Sequence, residues 1–92
     1  MMMALVLIKL GTGEQLSLAK SAKEEIAKMK GVVKVYSVFG RYDLVAHVEA
    51  STLEELSRII TDKIRAIVGV STTESLINRL LKTISPNVFK NL

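Results

Sequence analysis

The fold this sequence predicts is a single α+β domain of order β-α-β-β-α-β, in which a four-stranded antiparallel sheet carries both helices on one face. Three observations predict it. The chain resembles itself at a shift of 38 positions, which lays Ile26-Ala-Lys-Met29-Lys-Gly31-Val32 over Ile64-Arg-Ala-Ile67-Val-Gly69-Val70. Each repeat contains an amphipathic stretch that ends at a glycine. Short runs of alternating apolar residues flank those stretches. Each half therefore reads strand, helix, strand, and right-handed crossovers in both halves give the ferredoxin-like plait.

The elements follow in order. "MMMALVLIKL" at the start has about seven apolar residues before Lys9. It lacks the basic segment and cleavage site of a secretory leader and is far too short for a membrane span, so it reads as a strand. The first helix is expected from Glu14 to Lys30, because Leu18, Ala22, Ile26 and Met29 fall on one stripe and Lys20, Lys23, Glu24 and Lys28 on the other side. Strands follow from Val33 to Phe39 and from Tyr42 to Glu49, joined by Gly40-Arg41. A two-residue loop with glycine first suits a type II′ turn.

The second helix is expected from Thr52 to Val68, with Leu53, Leu56, Ile60, Ile64 and Ile67 as its apolar stripe. Ser51-x-x-Glu54 has the form of a capping box at its start. Both helices stop at a glycine, Gly31 and Gly69, suited to the left-handed conformation of a C-terminal cap. The last strand begins at Val70. Residues 1–78 thus form the domain, and 79–92 an extension in which Pro86 bars regular structure. There Leu80, Leu81, Ile84, Val88 and Phe89 are apolar enough to pack on the domain or on a neighbouring subunit.

Period two then sorts the sheet faces. With Leu44, Ala46 and Val48 toward the helices, Val45, His47 and Glu49 turn outward, as do Leu5, Leu7 and Lys9. Apolar side chains on an uncovered sheet are unfavourable in water, at about 25 cal/mol per Å². A second subunit is the expected cover, which makes the chain a dimer of the α/β-barrel type.

Composition narrows the function classes. Among 92 residues, 49% are hydrophobic and only 4% aromatic, and the net charge of +4 arises from 13 basic and 9 acidic residues scattered without a basic run. That balance serves solubility and is poor support for a nucleic-acid partner. There is no cysteine, so disulfides, thiol nucleophiles and thiolate metal sites are excluded, in keeping with a reducing cytoplasm. His47 is the single histidine, so no histidine cluster can hold a metal, and its place on a strand face suggests a subunit contact. Asp43 and Glu49 are too far apart on one strand to share a proton, and Glu54 and Glu55 serve the helix start. No catalytic pair and no cofactor motif emerges. RNA-recognition domains share this strand order but stack bases on aromatic residues of the first and third strands. Here the first strand has none and the third only Tyr42.

"GVVKVYSVFGRYDLVAHVEASTLEELSRIITDKIRAIVGVSTTESLI" resembles the ligand-sensing RAM domain of the leucine-responsive (Lrp/AsnC) transcription regulators, and the likeness extends from Ala4 to Ile77. Its carriers are Gly40-x-Tyr42-Asp43 entering the third strand, the capped second helix, and Gly69-Val70 followed by Thr73 and Ser75, where the family usually has Thr-x-Thr. The resemblance implies a homodimer whose sheets pair face to face, dimers that associate into rings, and an amino-acid effector held at Gly40, Arg41, Tyr42, Asp43, Thr73 and Ser75. Full-length members carry an N-terminal helix-turn-helix, whereas here the first strand begins within a few residues of Met1. The expectation is a stand-alone sensor without direct DNA binding and without a membrane role, which acts through other proteins, full-length Lrp/AsnC regulators among them.

On its own chemistry the Gly40 stretch is a hairpin turn whose aspartate bonds local backbone. As a site, glycine allows close approach of backbone N–H groups to a carboxylate, Asp43 accepts from an ammonium, and Tyr42 walls the pocket. Thr73 and Ser75 read equally as ordinary strand residues. Two other classes share the architecture. Dimeric α/β-barrel monooxygenases would need a cavity with polar groups between sheet and helices, and ACT-type regulatory domains pair their sheets edge to edge.

Overall fold

The computed structural model describes residues 1–11 and 16–79. Within them run β1 (Met2–Leu10), α1 (Leu16–Ala27), β2 (Val32–Ser37), β3 (Leu44–Ala50), α2 (Leu53–Arg58), a π-helical segment (Ile59–Ile64) and β4 (Val70–Arg79). The sheet order is β2-β3-β1-β4, with every neighbouring pair antiparallel. Each helical crossover therefore skips one strand, and the ferredoxin-like α+β fold stands as expected. The extension from Leu80 onward, with its apolar residues and Pro86, lies outside the described residues.

Register confirms the sorting of the faces. Val6 is paired with Ala46 and Ile8 with Leu44, and these side chains are buried beneath the helices. Leu5, Leu7, Val45, His47 and Glu49 are half-buried on the opposite face, and Lys9 is exposed. Ala22 and Ile26 of α1, with Leu56, Ile59, Ile60 and Ile64 of the second helical stretch, close over the sheet. Burying each of the larger side chains stabilises the fold by roughly 1.5–3 kcal/mol. Among the described residues no polar or charged residue is buried, and the layer between helices and sheet is aliphatic.

Four expectations are corrected. Helix α1 ends at Ala27, earlier than Lys30, and Lys28 to Gly31 form a turn in which the Met29 N–H donates to the Ile26 carbonyl at 3.1 Å. Gly31 (φ +94) and Gly69 (φ +100) do adopt the left-handed conformation. The second helix is capped by Thr52 and not by Ser51: the Thr52 hydroxyl accepts from the Glu55 N–H at 3.1 Å. Glu54 instead accepts from Arg58 one turn on, at 3.2 Å.

The second helix is also no uniform α-helix to Val68. After Arg58 the turns widen, and the Arg65 N–H reaches the Ile60 carbonyl at 3.1 Å. The wider turn explains an error in the stripe. Leu53 is 51% exposed while Ile59, outside the expected stripe, is 5% exposed. Successive Ile59, Ile60 and Thr61 are β-branched and crowd a regular α-helix, and the wider turn lets both isoleucines face the sheet. The fourth correction is the β2–β3 connection. It spans six residues, Val38 to Asp43, closed by the Val38 N–H on the Asp43 carbonyl at 3.0 Å, and is no two-residue type II′ turn.

Candidate ligand site at the β2–β3 loop

The loop is held by its last residue. The Asp43 N–H donates to the Ile8 carbonyl at 2.9 Å, and the Asp43 carboxylate oxygen Oδ2 accepts from the Leu10 N–H at 2.8 Å. Both bonds fasten the loop to the end of β1, where pairing with β4 is irregular between Lys9 and Leu10. An ionised acceptor on a backbone N–H makes a stronger bond than a neutral one. This is why β3 starts at Leu44 and not at Tyr42: Asp43 is turned to β1 by its side chain, and Tyr42 is carried away from the ladder. Gly40 has φ +118, and a Cβ there would meet nothing within 4 Å. The glycine is required by backbone conformation and not by lack of room.

Tyr42 ends on β4. Its hydroxyl donates to Glu74 Oε2, a bond that raises the phenol above the ordinary tyrosine value; desolvation and the Glu74 charge add to the shift, and Arg41 opposes it. Glu74 is in register with Leu7, on the face away from the helices. Thr73 and Ser75 are in register with Ile8 and Val6, whose side chains face the helices. Of the six expected site residues, Gly40, Arg41, Tyr42 and Asp43 thus share one loop. Thr73 and Ser75 flank its partner Glu74 but project to the other side of the sheet. Glu74 and the Leu10 N–H were missed by sequence reasoning, because both are joined to the loop only by strand register.

The open face beyond this clasp is mixed. Leu5, Leu7 and Val45 form its half-buried middle, and Leu76 on β4 is 55% exposed. His47 Nε2 lies 3.0 Å from Glu49 Oε2, and Lys34 Nζ stands 5.1 Å from the centroid of the Tyr36 ring. Apolar strips bordered by such charges mark contact surfaces. At the loop tip, Phe39 is fully exposed beside Gly40 and Arg41.

The model of the Lrp/AsnC ligand-binding domain matches residues 3–86. The chain belongs to the Lrp/AsnC ligand-binding domain family. An uncharacterised HTH-type transcriptional regulator of Pyrococcus abyssi is 41% identical over 59 residues, which cover 64% of this chain and 39% of that protein. The chain therefore aligns with well under half the length of the curated relative. TTHA0845 from Thermus thermophilus is 36% identical with a TM-score of 0.77, over 91% of this chain and 100% of that one. The transcriptional regulator NMB0573 of Neisseria meningitidis, solved as its L-Met complex, has a TM-score of 0.74 at 15% identity, over 97% of this chain and 58% of its own, and shares the fold. Within the Lrp/AsnC frame, the loop from Gly40 to Asp43 is the candidate site described above. No helix among the described residues is long and apolar enough to cross a membrane.

Proposed function

We propose that this Lrp/AsnC domain is a non-enzymatic amino-acid sensor and oligomerisation module in transcription regulation, with the effector held at the Gly40–Asp43 loop. The observation that carries this reading is the loop itself, pinned to β1 through Asp43 and to β4 through Tyr42, with glycine backbone and the Arg41 side chain left exposed. Arg41 offers a planar cation to a carboxylate, and Asp43 keeps acceptor capacity beyond the bond to Leu10. Thr73 and Ser75 lie beyond the sheet from Tyr42, so their part in a site needs a second dimer that brings its own loop to the helix side of β4. The L-Met bound by the Neisseria protein supports an amino acid as effector class. The half-buried apolar face supports a face-to-face dimer, which in turn supports larger rings. In this reading the module resides in the cytoplasm and reaches DNA through full-length Lrp/AsnC regulators, without contacting nucleic acid itself.

Native mass spectrometry with a panel of amino acids, followed by calorimetry, tests it. The expected result is a dimer or multiple of dimers that binds at least one amino acid, with binding lost in Arg41→Ala. A monomer at micromolar concentration, or no heat from any amino acid, would overturn it.

A further inference from the structure

The opposite end of the same hairpin carries charged groups that the loop site does not use. Where β2 begins and β3 ends, a groove of about 580 Å³ opens between the α1–β2 turn and the second helical stretch. Small-molecule sites occupy about 300–1,000 Å³. Val32, Ala50 and Ile59 supply apolar lining, together with Met1 and Val33. That lining is set by close packing: a Cβ at Gly31 would fall 2.7 Å from Ile59 Cδ1, and the Gly31 carbonyl accepts from the Glu49 N–H at 2.8 Å.

Its charged lining divides into engaged and unengaged groups. Arg58 is bonded to Glu54 at 3.2 Å, and Glu49 lies 3.0 Å from His47. Lys30 in the turn, Lys63 in the π segment and Glu55 at the start of α2 are exposed and form no ion pair among the described residues. Two cations and one carboxylate thus stand around an aliphatic patch. The π segment supplies both Ile59 and Lys63, and such widened turns recur at functional positions.

We propose that this groove is a second small-molecule site, for short aliphatic carboxylates and, among them, aliphatic α-amino acids. Lys30 and Lys63 take the carboxylate, and Val32, Ala50 and Ile59 take the aliphatic body. Glu55 takes the ammonium when there is one. This site is separate from the Gly40 loop and does not depend on it.

Titrating the isotope-labelled full chain with sodium isovalerate and, separately, with leucine tests the proposal by amide NMR. Both probes are expected to shift Gly31, Val32 and Ile59. The double variant Lys30→Ala/Lys63→Ala should weaken both probes at least about tenfold, the loss of a charge-assisted hydrogen bond. Glu55→Gln should weaken leucine and leave isovalerate unchanged. Shifts confined to Gly40–Asp43 would overturn the groove and leave the sensing reading intact. Unchanged affinity in the double lysine variant, or silence of the groove amides with both probes, would overturn it too. Groove shifts with a silent loop would uphold this proposal and count against the loop site.

Discussion

The two ends of the β2–β3 hairpin use a left-handed glycine in opposite ways. At Gly40 the backbone turns through open space, and two polar side chains that follow it reach out to clamp the loop: Asp43 to Leu10, Tyr42 to Glu74. At Gly31 the backbone turns in contact with its surroundings, against Ile59 and the Glu49 carbonyl, and Lys30, Glu55 and Lys63 nearby are left to solvent. One end is positioned by hydrogen bonds over a free surface and the other by packing beneath free charges. A positive φ alone thus says nothing about which kind of constraint a glycine meets.

The largest expected effect separates the two glycines. Gly31→Ala adds a steric conflict to the left-handed strain and should cost about 3 kcal/mol, the sum of the strain and overpacking penalties. Gly40→Ala meets the strain alone and should cost about 1–2 kcal/mol. Urea unfolding of both variants checks the ordering, and equal losses would erase the contrast between the ends. Next comes Asp43→Ala, which leaves the Leu10 N–H without its charged acceptor and should cost about 1.5–3 kcal/mol. The same variant should raise hydrogen exchange at Leu10 while leaving Gly31 and Ile59 as they were.

The smallest effect is spectroscopic. The bond to Glu74 holds the Tyr42 phenol above its ordinary value. A group whose pKa is raised on folding contributes its stability in full below the unfolded value of about 10 and loses it as pH climbs through the folded value. Ultraviolet titration should therefore show a phenol that ionises above about pH 10 and disappears in Tyr42→Phe. A wild-type curve identical to that of a free tyrosine would show the clasp to be absent in solution.

Much of the fold was legible. Gly31 and Gly69 marked the left-handed turns that lead into β2 and β4, though the helices end before them at Ala27 and Ile64. Alternation placed Leu5, Leu7, Val45 and His47 on the open face, and the internal repeat implied matching crossovers. The site was legible only as a segment. Gly40 to Asp43 stood out as an unusual turn, but Glu74 lies in a strand where period two says which face it takes and not which loop it meets. Leu53 misled because helical spacing was carried at one period through Ile59 and Ile60, where the turn in fact widens.

Composition and periodicity determined the element order, the aliphatic core and an outward-facing apolar strip, because these depend on local spacing and on the cost of wetting hydrocarbon. Tertiary structure decided the rest. Where β3 begins, and which strand the Gly40 loop is clasped to, turn on contacts between segments distant along the chain. The bond from Asp43 to Leu10 spans 33 residues, and no local pattern encodes a partner so remote.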